Sequence, residues 1–179
     1  MRIKRRLLLT AVLLGMTGTV LSAAPTRPPA RSASSPQQQV RSFLTFHLAH
    51  EGSLTAKNLE ARKAWLAPAL YNALKREIAR GKAFQAKHPD EVPFIDGDVF
   101  VNSQEIPTAH RILPGKGADV TVEFRSGPAA RVVRYRMALS GAKPTGQWRI
   151  EDVITDGESL MKVLQRSDYR TTPKPNGKS

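Results

Sequence analysis

Apolar positions divide the chain into two regimes. Up to Gly81 they recur at three- and four-residue spacing, and from Ala109 onward they alternate with polar ones. Val40, Phe43, Leu44 and His47 stand at i, i+3, i+4 and i+7. That stripe predicts an amphipathic helix, ended by Gly52 and Ser53. Asn58 to Trp65 predicts a short second helix. Pro68 suits the first turn of a third, because its missing N–H would have no partner there. Leu70, Leu74 and Ile78 carry that helix to Gly81, with Lys75, Arg76 and Arg80 on its other faces. Lys82 to Glu105 has little periodicity and contains the turn signals His88-Pro89-Asp90 and Pro93-Phe94-Ile95-Asp96-Gly97-Asp98. It reads as an ordered connecting loop with Phe94 and Phe100 turned inward.

The second regime predicts strands. Ala109 to Leu113 is short and is followed by the turn Pro114-Gly115-Lys116-Gly117. Val120, Val122 and Phe124 alternate with Thr121 and Glu123. After the turn Ser126-Gly127-Pro128, Val133, Tyr135, Met137 and Leu139 alternate with Arg134, Arg136 and Ala138. Period two with one apolar side describes a half-buried strand. Gly141 to Gly146 turns the chain again. Gln147 to Ile154 then places Trp148 and Ile150 on one side, Arg149 and Glu151 on the other. Ser159 can cap a final short helix through Leu160, Val163 and Leu164. Hairpin-length connections make neighbouring strands antiparallel. Helices first and an antiparallel sheet afterwards predict an α+β fold, with N-terminal helices packed on the apolar face of a curved sheet and a short C-terminal helix.

The ends read differently. Arg2, Lys4, Arg5 and Arg6 precede an uncharged, mostly apolar run from Leu7 to Leu21, and small residues follow at Ser22, Ala23 and Ala24. This is the plan of a secretory signal peptide. Cleavage is expected after Ala23, since Pro25 would hinder a cut after Ala24. The apolar run is shorter than the ~20 residues of a spanning helix, so no membrane span is expected after cleavage. Residues 24–39 are rich in Pro, Ser, Gln and Arg and read as a disordered linker. Residues 40–169 form the single folded domain, and residues 170–179 a disordered tail. The expected location is periplasmic or secreted.

Composition narrows the chemistry. The chain has 179 residues, no cysteine and a formal net charge of +13. The missing thiol excludes disulfides, Cys-ligated zinc, iron–sulfur clusters, cysteine nucleophiles and a lipoprotein anchor. Removing residues 1–23 takes away four basic and no acidic residues, which lowers +13 to +9. A basic balance favours anionic partners, whether phosphate groups, acidic polymers or an acidic protein.

Two stretches, Pro93-Phe94 and Gln147-Trp148-Arg149-Ile150-Glu151-Asp152-Val153 followed by Gly157, Ser159 and Leu160, carry a family resemblance. Together with the strands between them, they resemble the DUF3828 family of exported bacterial proteins, in the NTF2-like (cystatin-like α+β) group. The resemblance spans about Val40 to Gln165. It implies an NTF2-like fold and an exported protein, and it implies no activity. Val92 stands where the family's loop carries aspartate. Relatives in the wider group leave a pocket between sheet and helices, which some use for acid–base work.

The candidate chemistry is sparse. Of the four histidines, His47 and His50 are i, i+3 on one helix, with no carboxylate at an obvious spacing to complete a metal site. His47 reads as the border of an apolar stripe. Asp96-Gly97-Asp98 with Asn102 lacks the further acids of a calcium loop and reads as a turn. Arg134 and Arg136 share one strand face, with Arg149 expected nearby. This row is the candidate ligand-binding site, able to dock phosphate or carboxylate groups. It is equally readable as a solvated face paired with Glu123 and Glu151. Tyr135 and Trp148 face the other side, which argues against nucleic acid. No catalytic residue, metal or cofactor is indicated by a linear motif. The expectation is a non-catalytic binding or accessory module for an envelope protein or an anionic envelope component. Alternatives are a small-molecule hydrolase or isomerase built on the pocket, with His47 or His110 beside a carboxylate such as Asp152, and an immunity or inhibitor protein.

Overall fold

The computed structural model describes residues 34–92, 95, 97–141 and 146–166. The expected signal peptide, most of the expected linker, Phe94 and the expected tail lie outside the described residues.

Helix α1 spans Pro36–Leu48. It starts four residues before the apolar stripe, so residues 36–39 belong to the folded body and not to the linker. The cause is local. Ser35 accepts from the Gln38 backbone N–H, and the Gln38 side chain accepts from the Ser35 N–H. This reciprocal box satisfies two otherwise orphaned donors, and Pro36 occupies the first turn. Helix α2 spans Ala56–Arg62, capped by Thr55, and a single 3₁₀ turn, Lys63–Trp65, follows. Helix α3 spans Pro68–Gln85. It runs past Gly81, which is buried on the core side of the helix and does not take the positive φ of a terminating glycine. A glycine within a helix weakens it by about 1 kcal/mol without ending it.

Five strands follow: β1 Ala109–Ile112, β2 Val120–Ser126, β3 Ala129–Ser140, β4 Gln147–Thr155 and β5 Glu158–Ser159. They lie in sequence order as one open antiparallel sheet. Gly127-Pro128 makes the two-residue turn between β2 and β3, with Gly127 at φ +58°. Strand β5 lies beyond the alternation visible in the sequence. It exists because Asp156 and Gly157, at φ +52° and +81°, form a tight hairpin turn. Helix α4, Leu160–Arg166, begins at once, with Lys162 N–H donating to Ser159 Oγ at 3.3 Å.

The alternating residues form the core. Val120, Val122, Phe124, Val133, Tyr135, Met137, Ile150 and Val153 are all buried. Trp148 packs partly buried against them. The helices cover this face. The Phe43 ring of α1 meets the rings of Phe100 and Tyr135 at 5.3 and 6.2 Å. Ala67 N–H, before α3, donates to the Ile150 carbonyl at 2.8 Å. Between Arg136 and Met137 the register with β4 shifts. Met137 opposes Ile150 and Arg136 opposes Asp152, leaving Glu151 as an extra residue. This β-bulge puts Asp152 on the side opposite Ile150 and Val153. Among the described residues, no helix is long and apolar enough to cross a membrane.

Candidate functional site

The arginine row lies where the alternation placed it. In the register of β3 and β4, Arg134 opposes Ile154, Arg136 opposes Asp152 and Arg149 opposes Ala138. All three stand on the sheet face away from the helices. Arg134 and Arg136 have half-exposed side chains, and their nearest carboxylate oxygens, on Asp119 and Asp152, are each 3.9 Å away. That separation is too long for a hydrogen bond. The Nε of Arg149 is buried without a hydrogen-bond partner. Cross-strand pairing of the row with Glu123 does not form. Glu123 is taken by Arg125 at 3.0 Å and Arg111 at 3.2 Å. Bonds from Arg125, then Arg111, hold its carboxyl below the usual range.

The structure assembles a second site that spacing could not reveal. His47 is 1% exposed, and its Nε2 lies 2.7 Å from Asp98 Oδ2. Arg62 Nε donates to His47 Nδ1 at 2.7 Å. A guanidinium only donates, so Nδ1 must accept and the ring proton sits on Nε2, donating to Asp98. The outcome is a buried chain of cation, neutral imidazole and carboxylate. Phe43 stacks on the imidazole at 5.1 Å, and Phe100 closes on it edge-on at 5.3 Å. Arg62 is almost fully buried. Its Nη1 donates to the Asn58 carbonyl at 2.8 Å and its Nη2 to the Glu51 carbonyl at 2.7 Å. Burial pulls this guanidinium below its ordinary range, against the attraction of Asp98 and Glu51.

Asp98 is held from the loop side too. Its Oδ1 accepts from Phe100 N–H at 2.9 Å, and its backbone exchanges hydrogen bonds with Ser103. The Phe100 carbonyl accepts from the Tyr135 hydroxyl at 2.7 Å. Burial, then Asp98, raises that phenol well above its usual value. The Asp98 side chain, 14% exposed, borders two clefts. One, of about 590 Å³, is also lined by Asn102, Arg131, Thr155, Asp156 and Glu158. The other, of about 270 Å³, is lined by His47, His50, Glu51, Gly52 and Glu105.

The carboxylate beside His47 is Asp98, 51 residues on and at no spacing a local pattern would show, and not the candidate Asp152. Asp96 lies outside the described residues, and reading Asp96-Gly97-Asp98 as a turn missed the destination of the Asp98 side chain. Asp152 has a different role. Its oxygens accept from Val153 N–H, Met161 N–H and the Ser159 hydroxyl at 2.9, 3.0 and 2.6 Å, which anchors the start of α4. His50 Nδ1 lies 2.7 Å from the Phe46 carbonyl. His110 lies across from Phe124, and burial, then Arg41, lowers its pKa. Among the described residues, no group of three histidine or acidic side chains could hold a metal ion.

No family model matches the chain, and neither a curated protein nor a solved structure is similar to it.

Proposed function

We propose that this chain is an exported envelope protein of NTF2-like shape that acts as a non-catalytic binding or accessory module. Its outer sheet face engages an anionic envelope component or an acidic protein surface through Arg134, Arg136 and Arg149. The observation that carries this reading is the pair of half-exposed guanidinium groups whose nearest carboxylate oxygens are 3.9 Å away. Their fork-shaped donors are open to an incoming oxyanion. The basic N-terminal segment with its apolar run supports export, and the positive balance supports the sign of the partner.

The test is calorimetric titration of the mature chain with polyphosphate. The triple variant Arg134→Ala, Arg136→Ala, Arg149→Ala should bind at least about tenfold more weakly, the effect of losing roughly 1.4 kcal/mol. Binding by the unaltered chain should weaken as salt rises. Equal affinity of variant and parent would remove the sheet face from the reading.

One observation favours a second reading, a small-molecule hydrolase or isomerase: Asp98 borders both clefts and is bonded to an imidazole. Both His47 nitrogens are engaged, so Asp98 would be the acid–base group. Any turnover found for the parent should vanish in Asp98→Asn, and its survival would discard this reading.

A further inference from the structure

The Arg62–His47–Asp98 chain has a consequence that does not depend on the sheet face. Arg62 bonds three separate pieces of the protein. Nε reaches His47 on α1, Nη1 stays within α2 at Asn58, and Nη2 reaches Glu51 in the turn between the helices. The guanidinium thus fastens α2 to α1 and to Glu51 in the turn between them. Its bond to His47 requires the lone pair on Nδ1, so it exists only with a neutral ring.

We infer that the Arg62–His47 contact is an acid-sensitive latch, which opens when Nδ1 of His47 takes a proton and loosens α2 and its preceding turn from α1. The added N–H would point at the Arg62 Nε–H, setting donor against donor and cation against cation. On its other side the imidazolium keeps its bond to Asp98, now as a full ion pair. The break therefore falls on one side of the ring. Helix α2, with the turn it still holds through Glu51 and Ser53, is loosened from α1, and the Asp98 loop stays in place. His50, Glu51, Gly52 and Ser53 form one wall of the 270 Å³ cleft, while Gly97, Asp98 and Ser103 form the other. Acid thus loosens one wall of that cleft.

The charged and titratable groups around the ring are few. Arg62 faces it from α2, opposing the proton, and Asp98 faces it from the loop, favouring it. His50, Glu51 and Glu105 line the adjoining cleft. Tyr135 reaches the Phe100 carbonyl and stays a neutral phenol. Phe43 and Phe100 cover the ring without charge.

Amide hydrogen exchange, corrected for the intrinsic pH dependence of exchange, tests the latch. On acidification from about pH 7.5 to about pH 5, residues 50–55 and α2 should lose protection by at least roughly tenfold, while residues 98–103 hold theirs. His47→Gln can accept from Arg62 and donate to Asp98 at every pH, so its turn should stay protected across the range. Unchanged protection of the turn in the parent chain, equal loss in turn and loop, or an undiminished acid response in His47→Gln would each overturn the inference. Should that variant fail to fold, imidazole nitrogen NMR of the parent chain at neutral pH decides. The proton must be on Nε2, and a proton on Nδ1 refutes the latch.

Discussion

A glycine shows how closely the buried chain is fitted. A Cβ added at Gly52 would lie 2.1 Å from Asp98 Oδ2 and 2.9 Å from Asp98 Cγ. That carboxylate cannot step aside freely, because His47 and the Phe100 N–H hold its two oxygens. Exchanging glycine for alanine usually stabilises by about 0.4–1 kcal/mol through the unfolded chain. Here Gly52→Ala should instead cost about 2 kcal/mol, seen as a lower urea midpoint at unchanged slope. His110 offers a titration at the same scale. Its pKa is lowered from an ordinary 6.5, so the folded chain binds the proton less readily than the unfolded one. Stability from this group is present above that value and lost as pH falls through it. His110→Gln should shrink the fall in urea midpoint on acidification. The parts of the buried chain were individually visible in the sequence: His47 on its stripe, Arg62 at the end of a short helix, Asp98 in a turn. Their meeting was not, because a contact across 51 residues leaves no local periodicity.

Among the elements, those set by periodicity were the most legible. The alternation in β2 and β3 and the stripe of α1 each depend on one buried face, so the pattern and the fold share a cause. Features set by single residues were harder to read. The Ser35–Gln38 box lengthens α1, the Asp156-Gly157 turn adds β5, and the extra residue Glu151 in β4 changes which side Asp152 takes. That change gives α4 its anchor. Asp152→Ala would leave the Ser159 hydroxyl and the Met161 and Val153 N–H groups without their acceptor in a buried place. The expected loss is about 3 kcal/mol, with α4 amides becoming the first to exchange. Asp152→Asn retains an acceptor oxygen and should lose clearly less in thermal unfolding.

The described residues form a layer of helices on one face of an open antiparallel sheet, and this much was legible because burying one apolar face dictates it. The arginine face was legible for the complementary reason, since residues between the buried ones must point the other way. What they meet depended on the register, which gave Glu123 to Arg111 and Arg125 and left Arg134 and Arg136 at arm's length from their acids. The openness of the sheet has one more effect. Strand β1 is one of its two outer strands, only four residues long, and it is bracketed by Pro107 and Pro114, neither of which has an N–H to offer. A second copy laid alongside would gain few ladder bonds and bring Arg111 towards its own counterpart. The margin discourages runaway stacking into fibrils.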